Sequence, residues 1–75
     1  MNKDINYYMS LPYTLEITPD SGGYVITVRK LVGCFTQVDR WEDIPHIVED
    51  AMRLWLELAL ERGRQIPEPQ HQPTR

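Results

Sequence analysis

The residues that could do chemistry are chiefly acids. Glu16, Glu49 or Asp50, and Glu68 sit in separate segments that a fold could bring together. Two-metal phosphodiester cleavage needs several carboxylates converging on ions about 4 Å apart. Their sequence surroundings argue against that convergence. Glu16 alternates with Leu15 and Ile17, so on a strand it points away from their shared face. The helical acids fall on a polar helix face and read as solvated surface charge. Cys34 has no neighbouring base or basic cluster to generate a thiolate, and reads as a small residue packed at the corner after Gly33. His46 and His71 have no second ligand at i+4 spacing, so no metal centre is expected within one chain. Gly22-Gly23 lacks the strand-to-helix context of a phosphate loop. These patterns predict no catalytic residue, no cofactor and no metal.

Whatever binding the chain does must be carried by a small body. Its 75 residues allow one domain, and a domain this size buries only about 60% of the surface its unfolded chain exposes. Cys34 is the only cysteine, so no disulfide can staple it, which fits a reducing compartment. Oligomerisation is the remaining common route to stability. No apolar run reaches signal-peptide or membrane-span length, and a cytoplasmic protein is expected. Eight Lys and Arg against eleven Asp and Glu give a net charge of -3. That balance does not favour direct nucleic-acid binding, whereas it complements a basic protein and speeds encounter with one.

The elements follow from periodicity and punctuation. Residues 13–18 alternate apolar and polar, with Tyr13, Leu15 and Ile17 on one strand face. Pro19 to Gly23 supplies turn chemistry. A second strand over 24–29 places Tyr24, Ile26 and Val28 on the core face, and a third covers 34–38. Asp39 and Glu42 have capping-box spacing ahead of a long helix. Pro45 then requires either a helix start near Ile44 or an irregular first turn over 41–44. The helical pattern runs to Arg62, and Gly63 is its stop.

On a wheel at about 100° per residue, Trp41, Ile44, Val48, Ala51, Met52, Trp55 and Ala59 share an arc that should pack on the sheet. Ile47, Leu54 and Leu58 widen it on one side, Leu56 and Leu60 on the other. The whole apolar arc spans roughly 240°, against the ~100° that a one-sided surface helix needs. One sheet cannot cover it, so the Ile47, Leu54 and Leu58 flank is expected to meet another copy, forming a homodimer or larger homo-oligomer, or a partner protein. Trp41 and Trp55 read as core packing rather than a base-stacking platform. Ile66 suits a short strand that prolines confine to a sheet edge. Residues 1–69 thus form one α+β domain, three antiparallel strands on one long helix plus an edge strand, and 70–75 a disordered polar tail.

The succession Gly22-Gly23-Tyr24-Val25-Ile26-Thr27-Val28, Leu31-Val32-Gly33-Cys34-Phe35, Trp41-Glu42-Asp43-Ile44-Pro45, Gly63 and Ile66-Pro67-Glu68-Pro69 resembles the HicB family of antitoxins over roughly residues 7–69. Val32 and Val38 stand where many members carry Pro and Gly. The resemblance implies a partial RNase H-like fold, β-β-β-α-β, whose final strand returns beside the first. It also implies a role in a bacterial type II toxin–antitoxin system: binding and blocking a HicA-type toxin, a small mRNA-cleaving RNase. Many members add a C-terminal DNA-binding domain that represses their operon. Here the dozen residues after Gly63 are too few for such a helix pair, so operator binding by this chain alone is not expected.

Two functions from different classes follow. In the first, the chain is a protein-binding antitoxin that oligomerises through the helix flank and meets its toxin through Glu57 and Glu61 on the acidic helix face and Ile66 and Glu68 in the segment beyond. In the second, it is a stand-alone HicB-like regulatory or scaffold oligomer without a cognate toxin.

Overall fold

The computed structural model describes residues 3–69. A short helix α1 (Ile5–Met9) leads into strands β1 (Leu15–Asp20), β2 (Gly23–Val28) and β3 (Phe35–Val38). A 3-10 turn (Trp41–Asp43) then opens the long helix α2 (Ile44–Glu61). The strands form one antiparallel sheet in the order β1-β2-β3, so the chain belongs to the α+β class.

The hairpin between β1 and β2 closes over two residues, with Asp20 paired to Gly23. Ser21 and Gly22 both take positive φ, 51° and 83°, the geometry that matches the twist of tightly joined strands and favours glycine. The strand therefore runs two residues past the expected end at Thr18, because Pro19 sits on an open edge where its missing N–H costs no ladder bond.

α2 covers the sheet with Ile44, Val48, Met52, Leu56 and Ala59. They meet Ile26, Val28, Leu31, Cys34 and Val38 in the core. Ile26 and Leu56 are fully buried, so the expected inward face of β2 stands, while the centre of the helix face lies further toward Leu56 than the wheel placed it. Trp41 is corrected outright. It is 59% exposed, lying in the 3-10 turn before α2 and meeting Tyr24 edge-to-face at 5.4 Å. No side chain caps either the 3-10 turn or α2, so the capping box does not form. Both alternatives raised by Pro45 are realised, an irregular turn followed by a regular helix at Ile44. Gly63, at φ +66°, ends α2 as expected. The amides of Gly63 and Arg64 reach back to Leu60 O (3.2 Å) and Ala59 O (2.9 Å), a left-handed stop that satisfies late carbonyls.

Two further expectations are corrected. Residues 5–9 are helical: Asp4 caps them by accepting from the Tyr7 amide at 3.0 Å, and Tyr8 is buried. The segment 64–69 forms no strand. Ile66 is buried, and side chains rather than a backbone ladder hold the segment. Tyr13 Oη donates to Pro67 O at 2.6 Å, Tyr7 Oη to Glu68 Oε1 at 3.1 Å, and Lys3 Nζ to Glu68 Oε2 at 3.0 Å. Pro67 and Pro69 carry no amide donor, which leaves the segment poorly suited to a ladder. The tail expected over 70–75, with His71, lies outside the described residues.

β1 is exposed along its whole length. Its register places Leu15 and Ile17 opposite Val28 and Ile26, on the helix side of the sheet as expected. α2 lies toward the β3 side instead, where its closest strand contacts fall, leaving Leu15 and Ile17 at 37% and 38% exposure.

Candidate protein-interaction site

The flank of α2 away from β1 carries an uncovered apolar surface. Leu54 and Leu58, one turn apart, are 59% and 40% exposed, while Ile47, a further two turns back, is half-buried against the core. An open apolar groove of about 190 Å³ lies beside them, lined by Gly33, Cys34, Phe35, Ala51, Leu54, Trp55 and Leu58. One wall is fixed: Trp55 Nε1 donates to Val32 O at 2.9 Å, and the Arg64 guanidinium stands 5.9 Å from the indole ring. An indole held by its N–H and stacked by a cation is a rigid surface, the kind that concentrates binding energy at interfaces. Val32, 82% exposed, projects from the corner that Trp55 holds.

The groove's other border is acidic. Helical spacing puts Asp50 and Glu57 beside Leu54, and Glu61 beside Leu58. All of these acids are exposed. The ion pairs formed among the described residues, Lys3–Glu68, Arg29–Glu16 and Arg40–Glu42, leave them unpaired. An apolar strip with one-signed charge along its edge complements a partner whose apolar side chains are flanked by Lys or Arg.

The expected site residues therefore separate. Leu54, Leu58, Glu57 and Glu61 come together on one surface, with Ile47 at its buried margin. Ile66 turns into the core, away from solvent. Glu68 is engaged elsewhere, where the Lys3 ammonium and, secondarily, the Tyr7 hydroxyl lower the pKa of its carboxyl. Sequence reasoning did not assign Val32, Gly33 and Cys34 to this surface, since they join α2 only through the fold, where Trp55 bonds Val32 far away in the chain; Trp55, on α2 itself, reads from the wheel as core packing.

The groups weighed for catalysis are dispersed. Glu16 lies on the sheet face opposite α2, 3.5 Å from Arg29. Cys34 is buried, its Sγ 3.9 Å from Ala51 O. Burial pushes its thiol pKa up, opposite to what a nucleophile needs. No cluster of His, Cys, Asp and Glu among the described residues could hold a metal. No helix among them is long and apolar enough to cross a membrane.

Comparison with known proteins agrees with the resemblance read from the motifs. Residues 12–73 match the family described as HicB-like antitoxin of bacterial toxin-antitoxin system. The UPF0150 protein Ta0767 of Thermoplasma acidophilum is 34% identical over 58 residues, which cover 76% of this chain and 84% of that protein. No solved structure matches. With its motifs, its α+β architecture and a family match over most of its length in agreement, the chain belongs to the HicB-like antitoxin family.

Proposed function

We propose that this chain is the antitoxin of a type II toxin–antitoxin pair, binding a HicA-type mRNA-cleaving toxin by protein–protein contact and closing the toxin's RNA site. The observation that carries this reading is the groove beside Leu54 and Leu58 with its unpaired border of Asp50, Glu57 and Glu61. A toxin that grips RNA must present positive charge to phosphate. A carboxylate row beside an apolar seat competes for those same Lys and Arg side chains. Of the expected toxin contacts, Glu57 and Glu61 suit this role; Ile66 and Glu68 serve the fold instead. Family membership favours a regulatory rather than catalytic part. The partial RNase H-like outline is also a proposal, resting on the β-β-β-α order alone.

Co-expression with the HicA-type toxin from the same cells tests the reading. The chain should restore growth that the toxin alone arrests, and a Leu54→Asp/Glu57→Lys variant should not. Restoration by that variant as well as by the parent chain would move the contact off this surface. Failure of the folded parent chain to restore growth would leave the stand-alone module.

A further inference from the structure

The sheet's other edge supports a separate inference, independent of any toxin. The Arg29 amide donates to Thr14 O at 2.9 Å, and the Val28 amide to Cys34 O at 3.0 Å. Together with the β1–β2 register, these bonds fix the parity of β1. Thr14, Glu16, Thr18 and Asp20 turn their backbone groups toward β2. Leu15 and Ile17 turn theirs outward, as does the Pro19 carbonyl. Among the described residues no strand meets that edge, and every residue of β1 is exposed. An open edge with apolar side chains on one face is a template for another strand.

We infer that this edge pairs with β1 of a second copy, antiparallel, about a twofold axis at Ile17. In that register the Ile17 amides and carbonyls bond reciprocally, and each Leu15 amide meets the Pro19 carbonyl of the other copy. Leu15 and Ile17 of both copies then form one apolar strip on the helix side of a continuous sheet, covering surface that α2 does not reach. An axis at Ile17 overlaps residues 15–19, nearly all of β1, and charge disfavours the neighbouring register. Shifting the axis to Glu16 would set the two Glu16 carboxylates directly opposite each other, which is destabilising on a strand pair. With the axis at Ile17, Glu16 faces Thr18 and Asp20 faces Thr14. Glu16 is then only diagonal to Glu16 and Asp20 of the other copy, and stands 3.5 Å from its own Arg29.

The helix flank is less suited to a second copy. A twofold packing antiparallel α2 helices through Leu54 and Leu58 would line Asp50, Glu57 and Glu61 of both copies along one side of the contact, uniting like charges. A parallel pairing would bring those carboxylates toward the other copy's Trp55 and Ala51, with Arg64 beside the indole, so charge disfavours only the antiparallel arrangement. The proposed copy-to-copy contact is thus β1 rather than the flank of Ile47, Leu54 and Leu58, and both grooves stay open at the far ends of the joined sheet.

The test is the mass of the full chain by sedimentation, with hydrogen exchange at the Leu15 and Ile17 amides. The parent chain should show twice its 8.8 kDa mass. Protection at those two amides should rise roughly tenfold from dilute to concentrated protein, as a pairing equilibrium requires. Ile17→Pro, which removes an outward donor and no β1–β2 bond, should halve the mass while its circular dichroism stays that of the parent. Leu54→Asp should leave the mass doubled. A parent chain that stays monomeric at millimolar concentration overturns the inference, as does an Ile17→Pro dimer. Concentration-independent protection at Leu15 and Ile17 would also overturn it, because the chain's own residues would then cover the edge.

Discussion

The helix flank and the β1 edge are both apolar and both uncovered, yet they are built for different partners. On the flank, recognition lies in side chains: a groove with one fixed indole wall, stacked by Arg64, and an acidic border opposite it. On the edge it lies largely in backbone groups, where outward amides and carbonyls alternate. A surface carrying one sign of charge is a poor match for itself and a good one for an opposite partner. A strand edge carries its own complement, because every strand supplies both donors and acceptors. The difference teaches that uncovered apolar area alone does not say what covers it; the polar groups at its border do.

Substitutions can break this comparison, and the largest effect should come from the flank. Leu54→Asp with Leu58→Asp should weaken toxin binding by roughly a hundredfold or more, the scale of losing a central anchor, while sedimentation still finds a doubled mass. Stability separates neighbouring leucines next. Leu56, fully buried, should cost about 3 kcal/mol when changed to Ala; Leu54, largely exposed, should cost within about 0.5 kcal/mol. Chemical denaturation of the two variants checks this, and equal losses would mean the helix face has been misplaced. Charge reversal comes third: Glu57→Lys with Glu61→Lys should lower toxin affinity roughly tenfold at low salt, with the gap narrowing as salt screens it. Binding measured across a salt series decides it.

The smallest effects belong to the clasp that replaces the final strand. Tyr13→Phe removes the bond to Pro67 O and should cost about 1 kcal/mol. In the parent chain, burial first and the Glu68 carboxylate second push the Tyr13 phenol up to about 12. A pKa raised on folding means the native state holds the proton longer. The stability tied to the neutral phenol is therefore complete below its ordinary value of 10.0 and is lost as pH climbs through about 12. Alkaline unfolding should begin later in Tyr13→Phe, relative to that variant's own neutral stability. Glu68 runs the other way. Lys3 and Tyr7 lower its pKa, so its contribution is present above the unfolded-state value and fades as pH falls through the folded one. Acid titration of Glu68→Gln should lack that phase.

Much of this architecture was legible from local rules. Alternation found β1, two residues out of place, and the inward face of β2, and Gly63 marked the helix stop, because each depends on residues close in sequence. What depended on distant contacts was not. An apolar arc of roughly 240° shows that a helix is covered on more than one side without showing which arc is central, so Leu56 was placed at a flank and Trp41 in the core. Trp41 precedes the regular helix, in a 3-10 turn whose tighter period does not extend the α wheel. Five residues are too few for α1 to show a period. Ile66 reads as strand by type, but neighbouring prolines and the tyrosine bonds to Pro67 and Glu68 hold it without a ladder. At the candidate site, the leucines and acids of α2 were readable because they share one helix; Val32 and Gly33 joined them only through the fold.

The most direct test of the central claim is to recover the tagged chain from its native cells, identify what co-purifies by mass, and weigh the eluted complex by light scattering. A small basic protein, toxic when expressed alone and bound in equal numbers to a pair of these chains, is the predicted result, and it should be absent when Leu54→Asp/Glu57→Lys is the bait. Recovery of the chain only with itself, or of the same basic protein with that altered bait, would contradict the account.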